Sequence, residues 1–91
     1  MGSETMSTEV VAMLDFEFSP KEVNVAVGDS VVWRNDGSAS HTATRDEDPP
    51  FDTGLVPSGS QSMPVLFKTA GTFDYFCRPH KGHMKGRVIV R

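Results

Sequence analysis

The segment Cys77-Arg78-Pro79-His80-Lys81-Gly82-His83-Met84 concentrates a thiol, two imidazoles and a thioether in one short stretch. Thiolate and imidazole bind borderline and soft first-row metals, and a thioether adds a weak soft ligand. Cys77 and His80 have metal-ligand spacing by themselves. His41 lies 36 residues before Cys77. Brought alongside, it completes a set of two His, one Cys and a weak Met, which suits a copper ion that must be stable in both oxidation states. Each residue also has an ordinary reading. A lone Cys is often a small buried hydrophobe, His41 sits among Ser38, Ala39, Ser40 and Thr42 as an ordinary loop residue would, and a single Met means little. Only the joint occurrence points to a metal.

The same residues admit two rival chemistries. Cys77 with a histidine as nucleophile and base would need a free thiol, an oriented imidazole and an oxyanion site; no sequence feature supplies the last. A zinc-stabilised or metal-free β-sandwich interaction module built from His41, Cys77, His80 and His83 would not need Met84.

These side chains must be positioned by strands. Val10 to Phe18 is apolar with acidic interruptions and reads as a strand that Ser19-Pro20 stops. Val23, Val25 and Val27 alternate up to the turn Gly28-Asp29, and Val31 and Trp33 share a face before Asn35-Asp36-Gly37. Residues 37–61 form a loop-rich excursion with Phe51, Leu55 and Val56 as its anchors, either functional or carrying a short strand around His41 to Thr44. Its acidic run Asp46, Glu47 and Asp48 reads as a solvated face. Met63, Val65 and Phe67 alternate, Ala70-Gly71 marks a turn, and Phe73, Tyr75 and Cys77 share a face. Val88 and Val90 alternate with Arg87, Ile89 and Arg91 in a closing strand. With no helix of useful length, the pattern predicts an all-β, antiparallel β-sandwich of roughly seven or eight strands.

Ninety-one residues make one domain. Residues 1–9 are expected to be a disordered tail or a remnant of expression, and residues 10–91 the folded, copper-binding domain. One Cys excludes an internal disulfide, so a compact core, helped by a bound metal, must stabilise the fold. The formal charge of -3 is unevenly spread: residues 77–91 hold Arg78, Lys81, Lys85, Arg87 and Arg91 and no acid. That basic end would attract an acidic protein surface, while the acidic remainder argues against nucleic acid as a partner. No apolar stretch approaches the roughly 20 residues that cross a bilayer, so no transmembrane segment is expected, and the start lacks the order of an export leader.

Phe18-x-Pro20, Val27-Gly28-Asp29-x-Val31-x-Trp33-x-Asn35, His41, Ala70-Gly71-Thr72-Phe73-x-Tyr75-x-Cys77-x-Pro79-His80 and Met84-x-Gly86-x-Val88 together resemble the cupredoxins, the small type 1 blue copper proteins, nearest to the branch of plastocyanin, pseudoazurin and amicyanin. The resemblance covers nearly all of the chain after the polar tail. It implies a Greek-key β-sandwich and, in place of catalysis, one-electron transfer between larger redox proteins. One copper ion would cycle between Cu(I) and Cu(II), held by His41, Cys77 and His80 with Met84 as the weak axial ligand. His80 would be the electron portal, and Arg78, Lys81 and Lys85 would steer an acidic partner such as a cytochrome or a copper or haem oxidoreductase. A monomer in the periplasm, the thylakoid lumen or outside the cell is what the resemblance implies. The chain departs from the family pattern at three places. Three residues separate His80 from Met84, an interval between the longer one of plastocyanin-like and the shorter one of amicyanin-like members, and His83 stands among them as a competing donor. Thr42 replaces an Asn that commonly ties the ligand loops, which predicts a weaker lock. Phe73 replaces a Tyr whose hydroxyl commonly fastens a Greek-key corner.

Overall fold

The computed structural model describes residues 7–91. They form nine strands: β1 (Thr8–Leu14), β2 (Glu17–Ser19), β3 (Glu22–Val25), β4 (Ser30–Asn35), β5 (Thr44–Arg45), β6 (Phe51–Asp52), β7 (Val65–Leu66), β8 (Gly71–Phe76) and β9 (Lys85–Val90). One sheet runs β2-β1-β4-β7, the other β3-β9-β8-β5-β6. The two face each other as a Greek-key sandwich. The count exceeds the seven or eight expected because the excursion after β4 contributes two strands of two residues each, too short for any period to show in the sequence. β1 begins at Thr8, since Thr8 and Glu9 pair with Ser30 and Val31, and Ser7 is already tied to Ser30 and Asp29; residues 7–9 of the expected tail therefore belong to the folded part, and residues 1–6 lie outside the described residues.

The sandwich is mainly antiparallel, but β1 runs parallel to β4 and β3 parallel to β9. Parallel neighbours require a crossover: between β1 and β4 the chain visits β3 of the opposite sheet, and between β3 and β9 it visits β4 and β7 of the opposite sheet. The expected strand Val10 to Phe18 is broken in two. Phe16 adopts φ 80 and turns the chain so that β2 folds back on β1, with Leu14 opposite Glu17. A left-handed turn is usually made by Gly or Asn, so a Phe there gives no turn signal.

Alternation selects the core. Val11 and Met13 of β1 and Val31 and Trp33 of β4 are fully buried against Val23, Val25, Phe73, Tyr75, Val88 and Val90 of the other sheet. Trp33 stacks on Phe51 at 5.6 Å and meets the edge of Tyr75 at 5.2 Å, and Phe18 closes on Tyr75 at 4.6 Å. Of the expected anchors of the excursion, Val56 is buried and Phe51 partly so, whereas Leu55 is 64% exposed. Met63 is also exposed, because β7 starts only at Val65 and the alternation holds no further back. The missing anchor is Arg45. Its nearly buried guanidinium lies over Phe73, donates to the Pro49, Asp74 and Asp48 carbonyls, and pairs with Glu47. Burying a charge is tolerable only with such saturation, and the result is a loop tied to the sheet beneath it. Among the described residues no helix is long and apolar enough to cross a membrane.

Candidate metal centre

His41 is fixed through its backbone before its side chain does anything. It exchanges two hydrogen bonds with Val56, His41 N to Val56 O at 3.2 Å and Val56 N to His41 O at 2.8 Å. Asn35, buried at the end of β4, clamps the same place: its amide donates to the Ala39 and Val56 carbonyls and its oxygen accepts the Gly37 N–H. The imidazole has no solvent exposure. Its Nδ1 lies 3.7 Å from Cys77 Sγ, and its Nε2 3.0 Å from Asp15 Oδ1. The Asp15 carboxyl is lowered to about 2 by the backbone N–H groups of Ala39 and Ser38 and by His41.

Cys77 follows β8 on the face already committed to the core by Phe73 and Tyr75, so its sulfur is fully buried. The chain then turns through a short 3₁₀ helix, Arg78–His80. His80 N donates to Cys77 O, His83 N and Met84 N both donate to His80 O, and Cys77 N donates to Met84 O. Those bonds close the loop on itself and accommodate the three-residue interval between His80 and Met84. His80 Nδ1 comes within 3.4 Å of Cys77 Sγ, and its half-buried ring meets the edge of Phe16 at 4.8 Å. Met84 is fully buried at the foot of the loop, whereas His83 is exposed.

One donor atom each from His41, Cys77 and His80 lies within 4.8 Å of the other two, and among the described residues these three form the cluster without His83. Separations of 3.4 and 3.7 Å between sulfur and the two nitrogens are those spanned by one ion bonded at about 2.0–2.3 Å to each donor. Thr42 N donates to Cys77 Sγ at 3.4 Å, which ties the sulfur to the strand end that carries His41. The donor set therefore fits a thiophilic first-row metal ion. A nucleophile's role fits it poorly, because neither Cys77 nor His41 has any solvent exposure through which a substrate could approach.

The weaker lock expected from Thr42 is not what the structure shows. Thr42 Oγ1 accepts the Arg78 N–H at 2.8 Å and contacts Thr44 Oγ1 at 2.8 Å, which in turn donates to Asp52. The residue after His41 thus holds the residue after Cys77 directly, with a hydroxyl in place of an amide. Asp15 and Asn35 are participants that sequence reasoning did not find. Asn35 belonged to a quoted motif and could have been suspected as the sole amide ending an apolar strand; Asp15 gave no signal, being one acid among many on a segment read as strand.

A profile described as copper binding proteins, plastocyanin/azurin family, matches residues 5–91. The chain is 36% identical over 90 residues to chloroplastic plastocyanin of Tetradesmus obliquus, covering 81% of this chain and 58% of that one. It is 33% identical over 87 residues to amicyanin-alpha of Methylorubrum extorquens, with 92% and 71% covered. Among solved structures, amicyanin from Paracoccus versutus superimposes with a TM-score of 0.83 at 27% identity, over 92% of this chain and 81% of that one. The chain spans only 49% and 58% of two of the curated plastocyanins it matches.

Proposed function

Because this chain belongs to the plastocyanin/azurin family of copper-binding proteins, we propose that it carries single electrons between larger redox proteins through one copper ion. The observation that carries this reading is the convergence of His41, Cys77 and His80 on one point between the sheets and the last loop. Met84 would add a weak thioether ligand to these three, a role supported by its place in the loop and its burial. Copper, when bound, supplies a one-electron couple between Cu(I) and Cu(II).

The protein's own contribution is to hold the donors in place and keep water out. His41, Cys77 and Met84 have no exposure, and the hydrogen bonds of Asn35, Thr42 and the closed loop fix their backbones. Donors that do not move between oxidation states cost little reorganisation on electron transfer. His80 is the one partly exposed donor, so a partner docks over its imidazole edge and the neighbouring Phe16. Of the cations expected to steer that partner, Arg78 is paired with Asp52, leaving Lys81 and Lys85 without an acidic partner among the described residues. An acidic partner is still favoured, at a rate that falls as salt rises; a rate that rose with salt would refute the steering. Through the family we assign the protein to an export compartment.

The test is the spectrum of the copper-loaded protein. An intense thiolate-to-copper charge-transfer band that is lost in C77A, with reversible one-electron reduction, is the expected result. A colourless, redox-silent complex would refute the carrier and favour the zinc-stabilised module.

A further inference from the structure

Asp15 stands in the turn between β1 and β2, and the structure aims it at the far nitrogen of His41. Its Oδ1 accepts the Ala39 N–H at 3.0 Å, both oxygens accept the Ser38 N–H at 3.0 and 2.9 Å, and Oδ1 lies 3.0 Å from His41 Nε2. The turn that carries Ser38 is docked on β1 as well, since Asp36 N and Gly37 N both donate to Met13 O. Gly37 is matched to this arrangement: a Cβ there would stand 2.5 Å from Asp15 Oδ1 and 2.8 Å from Asp15 N. The carboxylate is thus held from two sides and cannot turn away without breaking backbone hydrogen bonds.

An ionised carboxylate only accepts hydrogen bonds. Between Asp15 and His41 the imidazole must therefore be the donor, with its proton on Nε2. A neutral imidazole then carries its lone pair on Nδ1, the nitrogen facing Cys77 Sγ. A second partner of this kind also raises the basicity of a ligating imidazole, and its negative charge favours the more highly charged state of an ion bound opposite.

We propose that Asp15 is a positioning residue of the metal centre: it fixes the His41 tautomer that leaves Nδ1 free to bind, and it strengthens binding of Cu(II) relative to Cu(I). The second half rests on the copper reading above; the first half does not. Asp15 acts from a turn in the opposite sheet from Cys77, so β1 and β2 take part in the site although they contribute no ligand.

The full-length D15N and D15A variants separate charge from geometry. An Asn carbonyl at this place still accepts from Nε2, whereas Ala removes the acceptor. Nitrogen-15 NMR of the metal-free proteins, at a pH where imidazole is neutral, should show the Nε2–H tautomer of His41 in wild type and D15N and a mixture in D15A. In copper titrations D15A should raise the Cu(II) dissociation constant about 10–100-fold, and D15N should raise it relative to that for Cu(I), so both variants have a higher reduction potential. A wild-type tautomer in D15A, or an unchanged ratio of Cu(II) to Cu(I) affinity in D15N, overturns the proposal. A tautomer change in D15A, in a protein whose copper complex has no thiolate colour, supports the positioning by Asp15 while refuting the electron-carrier reading.

Discussion

Thr42→Val tests whether the two ligand loops are held together by one hydroxyl. The direction of the hydrogen bonds around it follows from chemistry. Asp52 can only accept, so Thr44 donates to it; Thr44 then accepts the Thr42 O–H, and Thr42 accepts the Arg78 N–H. Val has nearly the shape of Thr, so the substitution leaves packing intact at a position with no solvent exposure. It removes the acceptor that Thr42 Oγ1 provides for the Arg78 N–H, the only one among the described residues, and one hydrogen bond of Thr44. A buried donor left without a partner costs about 1–3 kcal/mol, and partial burial of the Arg78 N–H places the expected loss near the middle, about 2 kcal/mol. In a domain of this size that lowers the melting temperature by about 8–16 °C. The assay is urea unfolding of the copper-free protein, with an unchanged slope showing that the unfolded state is not the cause. The double variant T42V/T44V should lose less than the sum of the single losses, since the two hydroxyls share a bond. A T42V protein within about 0.5 kcal/mol of wild type would refute the lock.

Three further outcomes follow from other parts of the structure. A Cβ at Gly86 would meet Tyr75 Cζ and Oη at 2.5 Å, and the buried ring has nowhere to withdraw, so G86A should cost about 1–3 kcal/mol in urea unfolding; unchanged stability would show that β9 can shift past the ring. The Asp29 carboxyl is lowered by the N–H groups of Ser7 and Ala26, so its stabilisation is present above the ordinary carboxylate value of about 3.9 and is lost as pH falls through the lowered folded value. D29N should therefore be less stable than wild type at neutral pH and converge on it in acid, and a difference independent of pH would refute that origin. Met84→Leu conserves volume at a fully buried site and should cost less than about 1.5 kcal/mol, against about 2–5 kcal/mol for M84A. M84L should nevertheless bind copper with an altered potential by voltammetry, and an unaltered potential would remove Met84 from the ligand set.

What could be read from the sequence was what is local. The loop from Cys77 to Met84 carries two donors of the observed cluster on a few consecutive residues, and the alternation of Phe73, Tyr75 and Cys77 correctly predicts that the sulfur faces inward. His41 could be linked to them only by chemical kinship, because no pattern tells which strand end will lie beside the last loop. The break at Phe16 was hidden because apolar alternation continues through it while the backbone takes a left-handed turn. The pairings of β1 with β4 and β3 with β9 depend on which strand becomes a neighbour after the crossover, which hydrophobic periodicity does not encode. Thr42 was read as a loss because one amide was missing; in three dimensions its hydroxyl reaches the same backbone. Asp15 was invisible for the simplest reason: its meaning lies in an atom 26 residues away.

The charge pattern underwent the largest change between sequence and fold. Five cations and no acid in residues 77–91 suggest a basic patch beside His80. β9, however, lies between β3 and β8, in a register that sets Arg87 opposite both Glu22 and Asp74. Arg87 pairs with both acids, Arg78 with Asp52, and Arg91 with the Asn24 amide oxygen. Such exposed pairs contribute little to stability, about 0–1 kcal/mol each, yet they change what an approaching protein senses. Seen from beyond a Debye length, about 8 Å at physiological salt, a paired Arg and Asp nearly cancel. The field at the His80 end then rests on Lys81, held 5.1 Å over the Phe76 ring, and on Lys85. In the carrier proposed above, docking would then be left to shape and to the apolar edge that Phe16 presents beside His80, with Lys81 and Lys85 as the remaining electrostatic guide and with release of each partner after one electron made easier.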